Sequence, residues 1–250
     1  MTKGFYNLTS GILSQSRWLD TVGNNMTNIT TPGYKQEIYT DTTFDEVLIS
    51  RIGNKDKRDS APLGQESYIL APSELYVDYQ QGTLEETGQT FDFAIQGDGF
   101  FAIQTANGVE YTRNGRFVLD QEGYLCLPEH GRVLGTNGAP IQVMGDNIRA
   151  DNYGQIYYAD GGAVGRLGVF TFQDTAQLVK NESGLFGAGG QQPNLANQPV
   201  LWGYVENSNV DMIQEMSRMM TAQRALQSAA QVLGIYDEIL TKATTEVGRM

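Results

Sequence analysis

The sequence is poor in the residues from which most metal and catalytic sites are built. Its 250 residues include one cysteine, Cys126, and one histidine, His130. A single cysteine excludes an intrachain disulfide and a cysteine-based metal cage, and a single histidine excludes a histidine-rich zinc site. A Ser-His-Asp triad would have to use His130. We therefore expect neither a metal nor a cofactor.

Positive charge and long apolar runs are also scarce. The chain has 17 basic and 29 acidic residues, a formal net charge of −12, which repels phosphate backbones and anionic lipid. No apolar run reaches the length of about 18 residues that spans a membrane, and the N-terminus lacks the apolar core of a signal peptide. We expect no nucleic-acid partner, no membrane insertion, and either a cytoplasmic location or export without a cleaved signal.

The N-terminal segment contains an apolar pattern with helical spacing. Eight positions lie alternately three and four residues apart, and seven of them are apolar. This is the 3.5-residue period of a helix that packs along another helix. The positions are Phe5, Leu8, Ile12, Gln15, Leu19, Val22, Met26 and Ile29. Thr31-Pro32-Gly33 ends the pattern, because proline disfavours helical conformation in the residue before it.

The C-terminal segment has a similar seam. Apolar residues recur every seven positions, at Met212, Met219, Leu226, Leu233, Leu240 and Val247. A sequence resembling a capping box, Ser208–Asp211, predicts that the helix begins near Asn209. The helix would run for some 40 residues, or about 60 Å. Two arrangements stay open: an internal antiparallel hairpin of the two end helices, or packing of both helices against other copies of the chain.

The middle of the chain has the signals of short β-strands. Phe91–Ile95 alternates, and Phe100–Thr105, Tyr111–Leu119 and Val164–Phe172 follow as strands. Asp120–Leu125 and Asp151–Ile156 have the same Asp-x-x-Gly pattern and predict two hairpin turns. Phe44–Ile49 fits a helical turn or a strand, and the charged segment Gly53–Gln65 is predicted to be mobile.

These patterns predict an α+β fold. The N- and C-terminal helices would pair as a coiled-coil-like axial domain, with an all-β domain inserted between them. The expected divisions are an N-terminal axial helix over 1–33, an extended linker over 34–66, a β-rich outer domain over 67–206, and a C-terminal axial helix over 207–250.

Candidate chemistry is weak. Gly97-Asp98-Gly99 with Ala102 matches a dinucleotide fingerprint, but a helix must follow those glycines and the residues here predict a strand. The Asp-x-x-Gly pairs lack the alternating acidic ligands of a calcium loop. Cys126 lies in a strand context, as a small apolar residue does. Because acid, base and nucleophile do not group in the sequence, we expect a protein that is not an enzyme.

Three blocks of sequence, in order along nearly the whole chain, carry a resemblance. They are VGNNMTNITTPGYK (Val22–Lys35), FAIQGDGFF (Phe93–Phe101) with YTRNGRF (Tyr111–Phe117), and GYVENSNVD (Gly203–Asp211) with QRA (Gln223–Ala225). Together they resemble the axial rod–hook family of the bacterial flagellum. Thr27, Leu226 and Gln227 depart from the family's usual residues. A proximal and a distal rod protein both remain open.

The resemblance implies a structural subunit of the flagellar basal-body rod. Such a subunit would polymerise through its terminal helices into a hollow, torque-transmitting shaft that supports flagellum assembly and swimming motility. The implied partners are copies of the chain, other rod and hook subunits, and the flagellar type III export apparatus. The implied location is the basal body, in the periplasm or cell-wall space.

The seam residues and two amides in the first block are the predicted subunit interface. They are Leu8, Ile12, Leu19, Val22, Asn25, Met26, Asn28, Ile29, Met212, Met219, Leu226, Leu233 and Leu240. Two alternatives are a secreted β-domain adhesin with a helical stalk and, less favoured, a nucleotide-binding enzyme that uses Gly97 and Gly99.

Overall fold

A helix lies at each end of the chain and β-strands lie between them, as predicted. The computed structural model describes residues 2–43, 47–51, 61–66, 70–145, 147–181 and 183–247. Helix α1 spans Thr2–Thr27 and α2 spans Met212–Val247. The 36 residues of α2 correspond to about 54 Å. Neither helix is long and apolar enough to cross a membrane over its described residues.

The chain divides into two compact units. The helical unit comprises Met1–Met26, Glu37–Tyr76 and Met212–Met250, and the β unit comprises Thr27–Gln36 and Val77–Asp211. Among the described residues, four strands lie wholly or mostly in the helical unit and form two pairs, β1 with β4 and β2 with β3. They are β1 (Glu37–Thr43), β2 (Val47–Arg51), β3 (Ala61–Glu66) and β4 (Leu70–Val77).

The predicted fold class is wrong in its division between a helical axial domain and an inserted all-β domain. The two helices do pair, but β1–β3 and most of β4 belong to the same compact unit as the helices. The physical reason is that α1 holds β1 through polar side chains. Ser14 donates to the Asp41 carboxylate at 2.6 Å, and Asn25 bonds the backbone of Glu37. A coiled coil offers α1 only one neighbour, whereas here α1 has two.

Two sequence predictions fall partly on residues outside the described ranges. The predicted mobile segment Gly53–Gln65 includes residues 53–60, which are not described, while 61–65 lie in β3. For Phe44–Ile49, which fits a helical turn or a strand, residues 44–46 are not described and 47–49 belong to β2.

The β unit contains the remaining strands and a short 3-10 helix, Thr175–Gln177. The strands are β5 (Leu84–Glu86), β6 (Phe93–Ile95), β7 (Phe100–Thr105), β8 (Gly108–Thr112), β9 (Val118–Leu119), β10 (Leu125–Leu127), β11 (Gly131–Val133), β12 (Ile148–Ala150), β13 (Gln155–Tyr158), β14 (Ala163–Arg166), β15 (Val169–Thr171), β16 (Val179–Lys180), β17 (Phe186–Gly187), β18 (Asn194–Leu195), β19 (Val200–Trp202) and β20 (Tyr204–Glu206).

One antiparallel sheet of nine strands organises this unit. Its main order is β16-β17-β8-β7-β11-β10-β9, with β15 paired to β7 and β18 paired to β15. Smaller sheets join β12-β13-β14, β19-β6 and β20-β5. Four of the eight neighbouring pairs in the large sheet, β7-β8, β9-β10, β10-β11 and β16-β17, are consecutive in the chain and joined by short connections.

Strand β7 lies between two apolar clusters. Phe101 and Ile103 point into the larger cluster, which also contains Phe93 and Leu125. Phe100 and Ala102 point the opposite way, into an aromatic cluster with Tyr111 and Phe186. Successive strand residues face opposite sides of a sheet. A strand with apolar clusters on both sides is therefore apolar at every position, and Phe100 to Ile103 are all buried.

The two predicted Asp-x-x-Gly turns are confirmed. Asp120 Oδ1 accepts the N–H groups of Glu122 and Tyr124 at 2.9 and 2.8 Å. Asp151 Oδ1 does the same for the N–H groups of Tyr153 and Gln155, both at 2.9 Å. Each carboxylate thus satisfies backbone donors that the turn would leave unpaired.

A glycine is required where the chain enters the β unit from α1. Gly33 has φ +69°, and a Cβ there would lie 2.2 Å from the backbone nitrogen of Asn114. Its own N–H donates to the carbonyl of Glu206 at 2.7 Å. The glycine of the Pro-Gly pair therefore permits close packing of two backbones as well as a turn.

Gly33→Ala should lower the free energy of unfolding of the β unit by about 3 kcal/mol or more, because the clash adds to the left-handed backbone cost of about 1–2 kcal/mol. Gly88→Ala is the matched control, since Gly88 has φ +66° and a Cβ added there would meet no atom within 4 Å. It should lose only about 1–2 kcal/mol. Urea denaturation followed by circular dichroism measures both, and equal losses would contradict the packing argument.

The turn at Asp120 should make stability depend on pH. The N–H of Tyr124, with that of Glu122 and the Arg132 guanidinium, lowers the pKa of the Asp120 carboxyl. A pKa lowered on folding contributes stability above the unfolded pKa of about 4 and loses it as the pH falls through the folded pKa. Asp120→Asn carries no charge to titrate. The difference in unfolding free energy between wild type and D120N should therefore shrink below about pH 4. Urea titrations from neutral to acidic pH measure it, and a constant difference would refute the assignment.

Candidate assembly interface

The predicted interface residues on α1 lie on the side of the helix that is covered within the chain. Val22 is buried, and Leu8, Ile12, Leu19 and Met26 are half-buried. These are the positions that the 3.5-residue spacing selected. Their partial burial shows that the seam already has a neighbour inside the subunit.

The seam on α2 has the same character. Met219, Leu226, Leu233 and Leu240 are half-buried, whereas Met212, in the first turn, is 52% exposed. The small intervening residue Ala222 is completely buried. α1 and α2 pair within one chain, and the half-buried seam residues lie on these two helices. This pairing agrees with the internal-hairpin alternative, and the contact of the seam residues with other subunits stays a prediction.

Asn28 and Ile29 lie outside α1, which ends at Thr27. Both fall in the turn that belongs to the β unit. The Oδ1 of Asn28 accepts the hydroxyl of Thr31 at 3.2 Å, and the N–H of Thr31 donates to the Asn28 carbonyl at 3.2 Å. The seam therefore ends at Met26, and Asn28 organises the chain beyond the helix.

Asn25 connects three elements of the helical unit. Its Nδ2 donates to the carbonyl of Glu37 at 2.8 Å, and its Oδ1 accepts the N–H of Glu37 at 2.9 Å. The same Nδ2 lies 3.5 Å from Oε2 of Glu215, in the first turn of α2. The end of α1 thus meets the start of α2, so the helices run antiparallel. The sequence indicated that Asn25 was functional but did not reveal these partners.

Glu215 is a carboxylate with a fully buried side chain. Arg218 lies one turn further along α2 and pairs with its Oε1 at 2.6 Å. Asn25 approaches the other oxygen. A buried charge needs such partners, because desolvation otherwise costs several kcal/mol.

The helices also expose a set of large apolar side chains, of which the sequence pattern singled out only Phe5. Ile213 is 80% exposed and Ile235 is 58% exposed. The full set also includes Phe5, Tyr6, Leu13, Met216, Met220, Val232 and Ile239. On α2 these residues repeat at i, i+3 and i+7 twice, from Ile213 and from Val232. That spacing is readable in the sequence, but it lies beside a stronger seven-residue repeat that has the same helical period.

A buried ionic network lies in the β unit. Glu206 Oε1 accepts Lys35 Nζ at 2.6 Å, and its Oε2 accepts Arg113 Nη1 at 3.1 Å. All three side chains are at most 3% exposed. Burial lowers the pKa of the Lys35 amine and of the Arg113 guanidinium, while the Glu206 carboxylate opposes that effect. We call Lys35, Arg113 and Glu206 the Glu206 network.

The sequence marks these three residues only as members of the resembling blocks. One lies in each block: Lys35 in the first, Arg113 in the second and Glu206 in the third. That membership did not indicate that the three residues would meet, because the contact depends on the folded topology.

The structure disfavours the competing enzymatic sites. Gly97 and Gly99 precede strand β7, so the helix that a dinucleotide phosphate requires does not follow them. Burial raises the pKa of the Cys126 thiol, which makes it a weaker nucleophile at neutral pH. Within the described ranges, His, Cys, Asp and Glu side chains form no group of three that could hold a metal ion.

Comparison with known proteins gives two family matches. Residues 202–246 match the family described as flagellar basal body rod FlgEFG protein C-terminal, and residues 94–164 match the flagellar hook protein FlgE/F/G D1 domain. The flagellar basal-body rod protein FlgG of Bacillus subtilis is 32% identical, over 96% of this chain and 97% of the relative. The chain belongs to the flagellar basal-body rod protein family.

Other relatives agree. The flagellar basal-body rod protein FlgF of Mesorhizobium japonicum is 33% identical, over 93% of this chain and 92% of its own length. The flagellar hook-basal body complex protein FlhO of Bacillus subtilis is 28% identical over the full length of both chains. The resemblance inferred from the three blocks is thus confirmed. Relatives named FlgF and FlgG match to a similar degree.

For this rod-family chain, the partners of Asn25 lead to a prediction. Asn25→Ala should expose β1 to faster hydrogen exchange, because the N–H and carbonyl of Glu37 lose the side chain that bonds them. Asn28→Ala is the control, since the bonds described for Asn28 join it to Thr27 and Thr31. It should leave β1 exchange unchanged. Hydrogen exchange followed by mass spectrometry on the monomer measures both variants. Similar exchange of β1 in the two would argue against a role for the Asn25 side chain in holding β1.

Proposed function

We propose that this chain is a structural subunit of the bacterial flagellar basal-body rod and that it has no enzymatic activity. Support comes from full-length relatives that are named flagellar basal-body rod proteins. Further support comes from family matches in both the β unit and α2. The expected location is therefore the flagellar basal body, and the expected role is to support flagellum assembly and swimming motility.

The exposed apolar residues of the helices carry the mechanism. In this proposal the seams pack α1 against α2, so polymerisation needs further apolar surface. The first turns of α2 expose Ile213, Met216 and Met220, and its later turns expose Val232, Ile235 and Ile239. Burying one such side chain contributes about 1.5–3 kcal/mol at most. Several together can offset the entropy lost on association.

The positions of these residues favour an open polymer. Since the helices run antiparallel, Phe5, Tyr6 and Leu13 of α1 belong to the same end of the helical unit as the later turns of α2. We define the late-turn patch as Phe5, Tyr6, Leu13, Val232, Ile235 and Ile239, and the first-turn patch as Ile213, Met216 and Met220. Two different patches on one subunit allow heterologous contacts, which form a helical filament when they do not close into a ring.

The predicted interface residues have a related role in this proposal. Leu8, Ile12, Leu19, Val22 and Met26 would hold α1 against α2, and the patches would contact neighbouring subunits. Copies of the chain, other rod and hook subunits and the flagellar type III export apparatus are the proposed partners. A hollow shaft built from paired helices could transmit torque through repeated contacts and would need no reactive group.

Ile235→Asp should reduce polymer formation at least about tenfold without unfolding the helix pair, because a charge in an apolar contact must be desolvated. Leu233→Asp should abolish polymerisation and also lower the helical content, because Leu233 lies on the seam between α1 and α2. Sedimentation and electron microscopy measure the polymer, and circular dichroism measures the helix.

Leu195→Asp is the matched control. Leu195 is 55% exposed but lies on β18 in the β unit, so its replacement should leave polymerisation unchanged. If I235D polymerises as well as wild type, the late-turn patch is not a subunit contact.

A further inference from the structure

The Glu206 network brings together segments that are distant in sequence. In addition to Lys35 and Arg113, the carboxylate accepts the backbone N–H of Gly82 at 3.0 Å. Lys35 also donates to the carbonyl of Gln80 at 2.6 Å. Arg113 Nη2 donates to the carbonyl of Gly97 at 2.8 Å. The backbone groups of Gln80, Gly82 and Gly97 are therefore all bonded to the buried side chains of the Glu206 network.

Asn209 extends this arrangement. Its Oδ1 accepts the N–H of Gln36 at 2.7 Å, and its Nδ2 donates to the carbonyl of Asp78 at 2.9 Å. With the Gly33 N–H bonded to the Glu206 carbonyl, three segments are joined within the β unit. They are residues 33–36, 78–82 and 206–209.

These three segments lead to every connection between the two units. The chain passes from one unit to the other after residues 26, 36, 76 and 211. On the β-unit side, residues 27 and 36 lie at the first two crossings, residue 77 lies at the third and residue 211 lies at the fourth. The network therefore joins the parts of the β unit from which all the connections depart.

Stability alone is a poor explanation for the network. Two cations and one carboxylate are buried together, and Arg113 Nε finds no hydrogen-bond acceptor among the described residues. Burying charges is costly, and apolar replacements of buried ion clusters are often neutral or stabilising. Hydrogen bonds to fixed backbone atoms, in contrast, are directional and select one arrangement of the segments.

We propose that Glu206 and Lys35 are positioning residues for assembly, which fix the path of residues 33–36 and 206–209 and so the points where the connections to the helical unit leave the β unit. The inference rests on the proposed polymerisation, since positioning matters only if the helical unit must meet other subunits in a defined geometry. It assigns the network a role in assembly that is separate from holding the β unit folded.

Lys35→Met is the informative variant, because it removes one of the two buried cations and keeps an apolar stem of similar length. Glu206 keeps Arg113 and the Gly82 N–H as partners, so the β unit should stay folded, with a urea midpoint at or moderately below that of wild type. Hydrogen exchange over residues 27–36 should become about tenfold faster, and polymer yield should fall about tenfold. Lys35→Arg, which keeps the charge and the donors, should restore part of both. Glu206→Gln, which keeps the shape but leaves two cations without a counter-charge, provides the second test of segments 33–36 and 206–209.

Arg132→Met is the control for removing a cation. Arg132 pairs with Asp120 and Glu122 on the surface of the same unit, and its replacement should change neither local exchange at 27–36 nor polymer yield. A K35M protein that fails to fold, or that shows uniformly faster exchange across the β unit, would assign the network to stability and overturn the proposal.

The outcomes separate this inference from the proposed function. Wild-type protein that forms no polymer would count against the proposed function, while the exchange measurements still test the positioning of residues 27–36. If wild type polymerises and K35M polymerises equally well, the positioning role is wrong and the proposed function stands.

Discussion

The contact between Lys35 and Glu206 sets the course of the chain more than any other single interaction. It joins residues that are 171 positions apart, so forming it closes a loop that contains nearly the whole β unit. Loop closure of this length carries an entropic cost that a lone surface ion pair could not offset. The contact is viable because it forms within a packed interior, where the Gly33 backbone, the Gly82 N–H and Arg113 bond the same glutamate.

Two kinds of contact act in the helical unit. Apolar contacts supply attraction between elements, and polar contacts set their register. Apolar seam residues such as Leu226 and Leu19 provide burial, which is favourable in many relative positions of two helices. Polar contacts restrict that freedom. Asn25 bonds both backbone groups of Glu37 and approaches Glu215, so the helices and β1 have one alignment that satisfies all three partners.

The sequence predicted what depends on local pattern. The seam from Met212 to Leu240, the strand at Phe100–Thr105 and the turns at Asp120 and Asp151 all follow from spacing or from side chains that bond their own neighbourhood. The membership of β1 in the helical unit could not be predicted in that way. Its residues, EIYTDTT, are mostly polar, and its placement depends on amides and hydroxyls of α1 that precede it by a dozen residues or more.

The interface shows the same limit. Periodicity identified which residues of α2 are apolar and aligned, but it could not say whether Leu233 or Ile235 would be the more buried in the folded chain. That assignment depends on the angle at which two helices meet, and the angle is set by contacts distributed over the whole pair. The Glu206 network was similarly hidden, since Lys35, Arg113 and Glu206 are ordinary surface residue types until the fold encloses them.

The two hydrogen bonds between the Asn25 side chain and the backbone of Glu37 have a consequence for solubility. A strand whose outer N–H and carbonyl groups are unpaired can recruit another strand and begin aggregation. At Glu37, where β1 begins, a side-chain amide occupies the place that a neighbouring strand would take. Backbone pairing between subunits is thereby discouraged at that residue. A protein that must associate many times, and always in the same way, benefits when the wrong kind of association is blocked within its own fold.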